Sequence, residues 1–199
     1  MPTALFVIKK FLAFWVCYIA GLFIAEGEKL TYEALEARLP VVKIFVSRSK
    51  SDKILDKLKT LSQNGFGADT DVQVLEDGVF EKISTENAPQ GVISVIKHLD
   101  FFRDMDIIYK EDFFLGDDER AIALCSVRDP GNLGAVIRSA VAFGIGHIIL
   151  TADSADLYNP KTVRSAMGSL FKVKIDRVSS LKDCVGALIA GGRRVFAAE

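Results

Sequence analysis

Histidine, cysteine and tryptophan are scarce in this chain, with two, three and one among 199 residues. Cys17, Cys125 and Cys184 stand far apart and form neither a Cys-x-x-Cys pair nor a Cys/His spacing. That pattern argues against a structural zinc site or a disulfide framework and suits a reducing compartment. His98 and His147 have no neighbour in sequence that would make either a metal ligand or a base, so both read as ordinary surface or core-edge residues. The dinucleotide fingerprint Gly-x-Gly-x-x-Gly and the phosphate loop Gly-x-x-x-x-Gly-Lys-Ser/Thr are missing, as are internal repeats and low-complexity tracts. Neither sign of charge is in excess. The net charge of −1 gives no global signal for a polyanionic partner.

Half of the residues are hydrophobic and 26% are charged, which is the composition of a globular chain long enough for one large domain or two small ones. Charge is unevenly placed. Residues 1–127 carry 15 basic and 20 acidic side chains, whereas residues 128–199 carry 10 and 6. The second part therefore leans toward an anionic partner. The apolar run FLAFWVCYIAGLFIA (11–25) follows Lys9 and Lys10. It is short for a membrane span and poorly flanked for a signal peptide, so a buried strand or hairpin, or an atypical N-terminus, is the better reading. No stable membrane association is expected, and the expected location is cytoplasmic.

Two α/β blocks follow. In the first, LFIAE (22–26), VKIFVS (42–47), VQVLE (72–76) and GVISVI (91–96) read as strands. They alternate with helices at 27–38, 51–65 and 77–84. Such alternation predicts a mainly parallel sheet covered by helices. The stretch HLDFFRDMDIIYKEDFFLGDDER (98–120) breaks the periodicity and reads as a connection. The second block runs through strands at 121–127, 147–151, 171–175 and 193–198, with helices at 131–143, 160–168 and 180–190. The boundaries expected are an atypical hydrophobic N-terminus (1–21), a first domain (22–97), a linker (98–119) and a second domain (120–199).

DPGNLGAVIRSAVAFG (129–144) is built like the start of a capped helix. Asp129 can accept from free N–H groups of the first turn, and Pro130 sits where its missing donor costs nothing. Leu133, Val136, Ile137, Ala140 and Val141 make one apolar face. Gly131, Gly134 and Arg138 fall on another stripe. A guanidinium leaning toward the N-terminus would extend over Gly134 to the positive helix mouth, with the Asn132 amide in the same turn. The pattern predicts a small cationic pocket at the carboxyl end of a strand, where open α/β sheets bind ligands. Spacing alone serves equally a solvated or salt-bridged Arg138 beside glycines that only permit close packing. ADLYNPKTVRSAMGSLF (155–171) repeats the design, with Asn159 as cap, Pro160 at the first helical position and Val163, Ala166, Met167 and Leu170 as apolar face. Lys161, Arg164 and Gly168 share its other stripe, which by itself reads as an exposed basic face.

Together, DPGNLGAVIRSAVAFG and DLYNPKTVRSAMGSLF resemble the first half of the catalytic domain of the SpoU (TrmH-like) RNA 2′-O-ribose methyltransferases, of the SPOUT superfamily. LFIAEGEKLTYEAL and ENAPQGVISVI are similar to the beginning and end of that family's substrate-binding domain. The resemblance covers about residues 22–199. It implies two α/β domains, the second an incomplete SPOUT-type (trefoil-knot) methyltransferase domain, because the glycine- and glutamate-containing loop and the Ser-Leu-Asn segment of the family are missing. It implies methylation of a ribose 2′-hydroxyl in ribosomal or transfer RNA, with S-adenosyl-L-methionine as donor and cofactor-binding residues expected beyond Glu199. It also implies a homodimer for a full-length chain. Asn132 and Arg138 match the family's catalytic pair, and Lys161 and Arg164 fall where RNA contacts are expected. VKIFVSRSKSDKILDKLK (42–59) adds Lys43, Arg48, Lys50, Lys53, Lys57 and Lys59 against only Asp52 and Asp56. An RNA contact by Lys53, Lys57 and Lys59 and a solvated helix face fit that stretch equally. A catalytically silent RNA-binding protein is the rival reading.

Overall fold

The computed structural model describes residues 20–68, 70–100, 102–105 and 120–197. The first block runs β1 (Leu22–Glu26), α1 (Glu28–Glu36), β2 (Val41–Ser47), α2 (Ser51–Gln63), β3 (Asp71–Leu75), α3 (Asp77–Ile83) and β4 (Val92–Lys97). Each expected element is present within a few residues. The pairing differs from the mainly parallel sheet expected of this block. Its strand order is β1-β4-β2-β3, and β4 runs antiparallel to both neighbours, so only β2 and β3 are parallel. Sequence alternation counts elements and cannot see direction. The chain between α3 and β4 turns the last strand into the centre of the sheet instead of crossing over to its edge. Gly91 makes the entry at φ +90°, where a Cβ would strike the Lys50 side chain, and its carbonyl accepts the Ser47 N–H at 2.9 Å. VISVIK then reads as a continuous apolar run because both faces are covered, with buried Ser94 hydrogen-bonded to buried Thr31 at 2.7 Å.

The second sheet has the order β5-β8-β7-β6 and is parallel throughout. It comprises β5 (Phe102–Met105), β6 (Ala121–Leu124), β7 (His147–Thr151) and β8 (Lys174–Val178). The helices are α4 (Pro130–Ala142), α5 (Pro160–Ala166) and α6 (Leu181–Ala190). The edge strand β5 comes from the stretch read as linker. The strand expected at 171–175 lies three residues later. Met167 and Gly168 are both left-handed (φ +49° and +69°), which stops α5 early, and residues 169–172 form a 3-10 turn that buries Leu170 and Phe171. The strand expected at 193–198 is absent over residues 193–197, where no ladder forms and Phe196 is 85% exposed. β propensity without a neighbouring strand to bond does not make a strand. Residues 11–19 of the apolar run lie outside the described residues. Among those described, no helix is long and apolar enough to cross a membrane.

One apolar cluster joins the two sheets. Phe23, Ala25, Leu30, Ala34, Ile96 and Leu99 of the first block pack with Leu133, Ile137, Ile148, Leu150, Val163 and Ile175 of the second. Tyr158 is the hinge of this contact. Its ring packs on Phe23 (centroids 4.8 Å apart) and stacks on His98 at 4.0 Å, while its hydroxyl accepts the buried Leu99 N–H at 2.7 Å. His98 is thus a packed ring, not a solvated one, and burial lowers its pKa. Tyr158→Phe keeps the ring but strands the Leu99 amide. We expect a loss of about 1–3 kcal/mol in denaturant unfolding, the cost of an unsatisfied buried donor.

Candidate functional site at the carboxyl edge of the parallel sheet

β6 and β7 each deliver the chain to a helix at the same edge of the sheet. Both helix starts are capped as the sequence requires. Asp129 Oδ1 accepts the Asn132 N–H at 2.8 Å, and Asn159 Oδ1 accepts the Lys161 N–H at 2.9 Å. The two mouths are also tied to each other. Lys161 Nζ lies 2.8 Å from Asp129 Oδ2, and this hydrogen bond, ahead of the Asn132 amide, holds the Asp129 carboxyl below the usual carboxylate range. Ser165 Oγ donates to the Gly131 carbonyl at 2.7 Å.

The glycines serve this junction. A Cβ on Gly131 would meet Lys161 Cε at 2.9 Å, and one on Gly134 would meet the Thr162 carbonyl oxygen and Ser165 Cβ at 2.6 Å. Gly134 is buried beneath α5. It is therefore not the floor of an anion pocket under Arg138, as the stripe suggested. Helical spacing names a shared stripe but not the element that covers it. Arg138 is exposed, and its guanidinium donates to Met167 Sδ at 3.3 Å. Met167, expected on the apolar face of α5, is 43% exposed because the left-handed turn swings it out of the helix. Among the described residues no carboxylate pairs with Arg138. Asn132 is exposed in the first turn of α4, about 9 Å along the axis from Arg138 by helical rise.

Of the remaining candidates, Arg164, Lys53 and Lys57 have intramolecular partners. Arg164 Nε lies 2.5 Å from Glu86 Oε1, and its terminal nitrogen donates to Thr85 Oγ1 at 3.1 Å. Lys53 Nζ bonds both carboxylate oxygens of Glu28 at 2.9 and 3.0 Å, and Lys57 stands 6.0 Å above the Tyr32 ring. Those two face α1, one turn apart. Lys59 sits elsewhere on α2, at the rim of a cavity of about 270 Å³ lined by Leu35, Ile44, Leu58 and Phe66. The three lysines are all exposed but do not form one stripe.

Sequence reasoning missed the network that stiffens the loops leading into the helices. Asp153 accepts from Ser126 Oγ and Thr151 Oγ1 at 2.7 Å each and from Arg128 at 3.4 Å. The two hydroxyls, then the arginine, pull its pKa down to about 2. Ser126 adopts φ +53°, with its N–H donating to Thr151 Oγ1 at 2.8 Å, and the Val127 N–H donates to Ser154 Oγ at 3.1 Å. The cluster of short polar residues in TADS (151–154), directly after a strand, was the available signal. His147 was also misread. It is 3% exposed, with Nε2 2.7 Å from Asp176 Oδ2, at the opposite end of β7 from this edge. Cys184 packs beside them, and burial, with Asp176, pushes its thiol up to about 11, so it is an inert core residue.

A parallel α/β sheet with two clamped helix mouths at its carboxyl edge, docked on a mixed-sheet block, defines a class whose ligands approach that edge. Comparison with known proteins gives the family. Residues 119–199 match the SpoU rRNA Methylase family and residues 19–94 match the MRM3-like substrate binding domain, so the second block is a SpoU methylase domain. It is 30% identical over 174 residues to the 23S rRNA (guanosine(2553)-2′-O)-methyltransferase RlmP of Bacillus subtilis, covering 87% of this chain and 61% of that protein. It is 29% identical over 182 residues to the mitochondrial rRNA methyltransferase 3 of Xenopus tropicalis, covering 90% and 40% respectively. An AdoMet-bound rRNA methyltransferase from Sinorhizobium meliloti superposes with a TM-score of 0.68 at 25% identity, covering 96% of this chain and 67% of that one. AviRb, a SpoU methyltransferase from Streptomyces viridochromogenes solved with AdoMet, gives 0.68 at 26% identity, covering 88% and 62%. The chain thus spans about three fifths of the bacterial relative and two fifths of the mitochondrial one.

Two outcomes check the geometry. Gly134→Ala should destabilise the protein by about 1–3 kcal/mol in urea unfolding, because the intruding methyl meets α5 backbone that cannot step aside. Asp153 has a depressed folded-state pKa, so its contribution is present above pH 3.8 and lost as pH falls toward about 2. Asp153→Asn should lower the urea midpoint at neutral pH, and the gap to the wild type should close across that acid window. A gap that stays constant with pH would show that the carboxylate is not what ties the loops.

Proposed function

We propose that this protein methylates ribose 2′-hydroxyls of ribosomal RNA with S-adenosylmethionine as methyl donor, and that Arg138 is the residue that meets the RNA at the site of reaction. The observation that carries this reading is the state of Arg138: exposed on α4, oriented by Met167, and opposed by no carboxylate among the described residues. A thioether is a weak acceptor, so it aims the guanidinium without consuming it. A planar guanidinium of this kind can hold a phosphate through two parallel hydrogen bonds and so fix the adjoining ribose. A hydroxyl is a poor nucleophile until its proton is withdrawn and its oxygen is held in line, which is where a fixed cation beside it helps. The names of the relatives, which are ribosomal RNA methyltransferases, support ribosomal over transfer RNA.

The first block would hold the RNA by charge and shape. Lys53, Lys57 and Lys59 are exposed, as is Lys161 of the second block, and an exposed pair such as Lys53–Glu28 is weak enough to be exchanged for a phosphate.

The described residues do not by themselves fit the methyl donor. Asp129, Asn132 and Arg138 are exposed. A cavity of about 530 Å³ against Ala121, Ile149 and Leu188 is rimmed by Arg120, Arg193 and Arg194, a lining that opposes a sulfonium. This observation favours a second reading, an RNA-binding protein without methyl transfer.

The deciding experiment is transfer of a labelled methyl group to 23S rRNA, run beside RNA binding by anisotropy. On the proposed reading, Arg138→Ala lowers transfer by roughly a hundredfold, the scale of removing one electrostatic partner from a reaction centre, with far less change in RNA affinity. Changing Lys53, Lys57 and Lys59 together to Ala weakens binding across RNA sequences and flattens its salt dependence. RNA binding with no transfer by the wild type selects the second reading, and transfer untouched by Arg138→Ala removes the catalytic assignment. On the second reading, calorimetry on the 199-residue chain gives no saturable micromolar binding of S-adenosylmethionine. One such site per chain would show the cofactor pocket to lie within these residues.

A further inference from the structure

The cation expected to reach RNA from α5 is engaged inside the protein. Arg164 stands at the seam between the two blocks, its Nε against Glu86 at 2.5 Å and its terminal nitrogen on Thr85 at 3.1 Å. The loop it grips is itself fastened to β1. Glu26 accepts from the hydroxyl of Ser84, from the Thr85 N–H at 2.9 Å and from the Thr85 hydroxyl at 2.7 Å, and the Glu86 N–H donates to Ser84 Oγ at 3.1 Å. Pulling on Arg164 therefore pulls on the sheet of the first block.

The same residue closes the turn that carries Met167. Its carbonyl accepts the Met167 N–H at 3.1 Å, and Met167 and Gly168 follow in left-handed conformations. Gly168 lies so close to the Glu33 carboxylate of α1 that a Cβ there would overlap it. One side of this turn is thus pressed on the first block at Glu33, Thr85 and Glu86. The other side presents Met167 Sδ to Arg138 at 3.3 Å.

We propose that Arg164 is a positioning residue: by binding Glu86 and Thr85 it seats the first block on the α5 turn, and through Met167 it sets the direction of the Arg138 guanidinium. Docking of the first block and aiming of Arg138 then become one event. The consequence for chemistry rests on the reading of Arg138 given above, but the coupling is a property of the fold and can be measured without RNA.

The test uses the full chain with 13C-methyl methionine, of which there are three, with Met167 assigned by Met167→Leu. Arg138→Ala serves as the reference for a Met167 methyl that has lost its guanidinium. Glu86→Gln and Arg164→Gln should each move the Met167 methyl resonance toward that reference. Each should also speed amide exchange at Thr85 and Glu86 by roughly threefold to tenfold, the range for a partly exposed ion pair. The exchanged pair, Glu86→Arg with Arg164→Glu, should restore protection that either half alone removes. The proposal is overturned if Glu86→Gln leaves the methyl and both amides where they were. It is equally overturned if Arg164→Gln lowers RNA affinity while leaving them unmoved, since Arg164 would then be an RNA contact. A wild type that fails to bind RNA sinks the functional reading alone, because these shifts are read on the free protein.

Discussion

The second block is organised around the contact between α4 and α5 at Gly134, because nothing with a side chain can occupy that position. A parallel sheet sends consecutive helices out from one edge, and their distance is set by whatever stands between them. Here that is a glycine lying under the backbone of Thr162 and Ala166. Once the axes are this close, the remaining features follow from proximity. Lys161 reaches the cap of α4, Ser165 reaches the Gly131 carbonyl, and the far end of α5 reaches Arg138. A longer separation would leave two independent helix mouths, each with an orphan set of amides and no common geometry.

Local chemistry was legible in the sequence wherever one residue decides it. Asp129-Pro130 and Asn159-Pro160 set both helix starts, and both caps bond as their spacing requires. Strands β6 and β7 and the apolar faces of α2 and α4 follow from periodicity in the same way. What could not be read is what depends on a distant partner. The direction of β4 is decided by which strand it meets, and β5 is a strand only because β8 offers it a ladder. Arg138 and Arg164 are chemically identical and occupy similar stripes, yet one faces a thioether and the other a carboxylate in a loop of the first block. No spacing rule distinguishes them. His147 belongs to the same class, its partner 29 residues away on a neighbouring strand.

Several basic side chains among the described residues are committed to weak, exchangeable partners. Exposed pairs such as Lys53–Glu28, Arg48–Glu76 and Arg128–Asp153 gain little Coulomb energy in water and are screened by salt. A polyanion that displaces the carboxylates gains the release of its own counterions, so these pairs do not block an RNA surface. The net charge near zero is therefore compatible with RNA binding, since it is the local exchange and not the global sum that matters. His147–Asp176 differs because both groups are almost fully removed from water, and removing either would leave a buried polar group without its mate.

The thioether beside Arg138 completes the argument about specificity of position. A carboxylate there would hold the guanidinium more firmly and would also neutralise it, so an incoming phosphate would have to break a charge-assisted bond before forming its own. Bare solvent would leave the charge available but give it many rotamers, each adding an ordering cost when an anion binds. Met167 occupies the middle ground, with a directional but weak contact on a turn fixed by two left-handed residues and by the seam to the first block. The cation is kept in one region without being spent. That is the condition under which a single exposed arginine can discriminate between phosphates that differ only in where they lie.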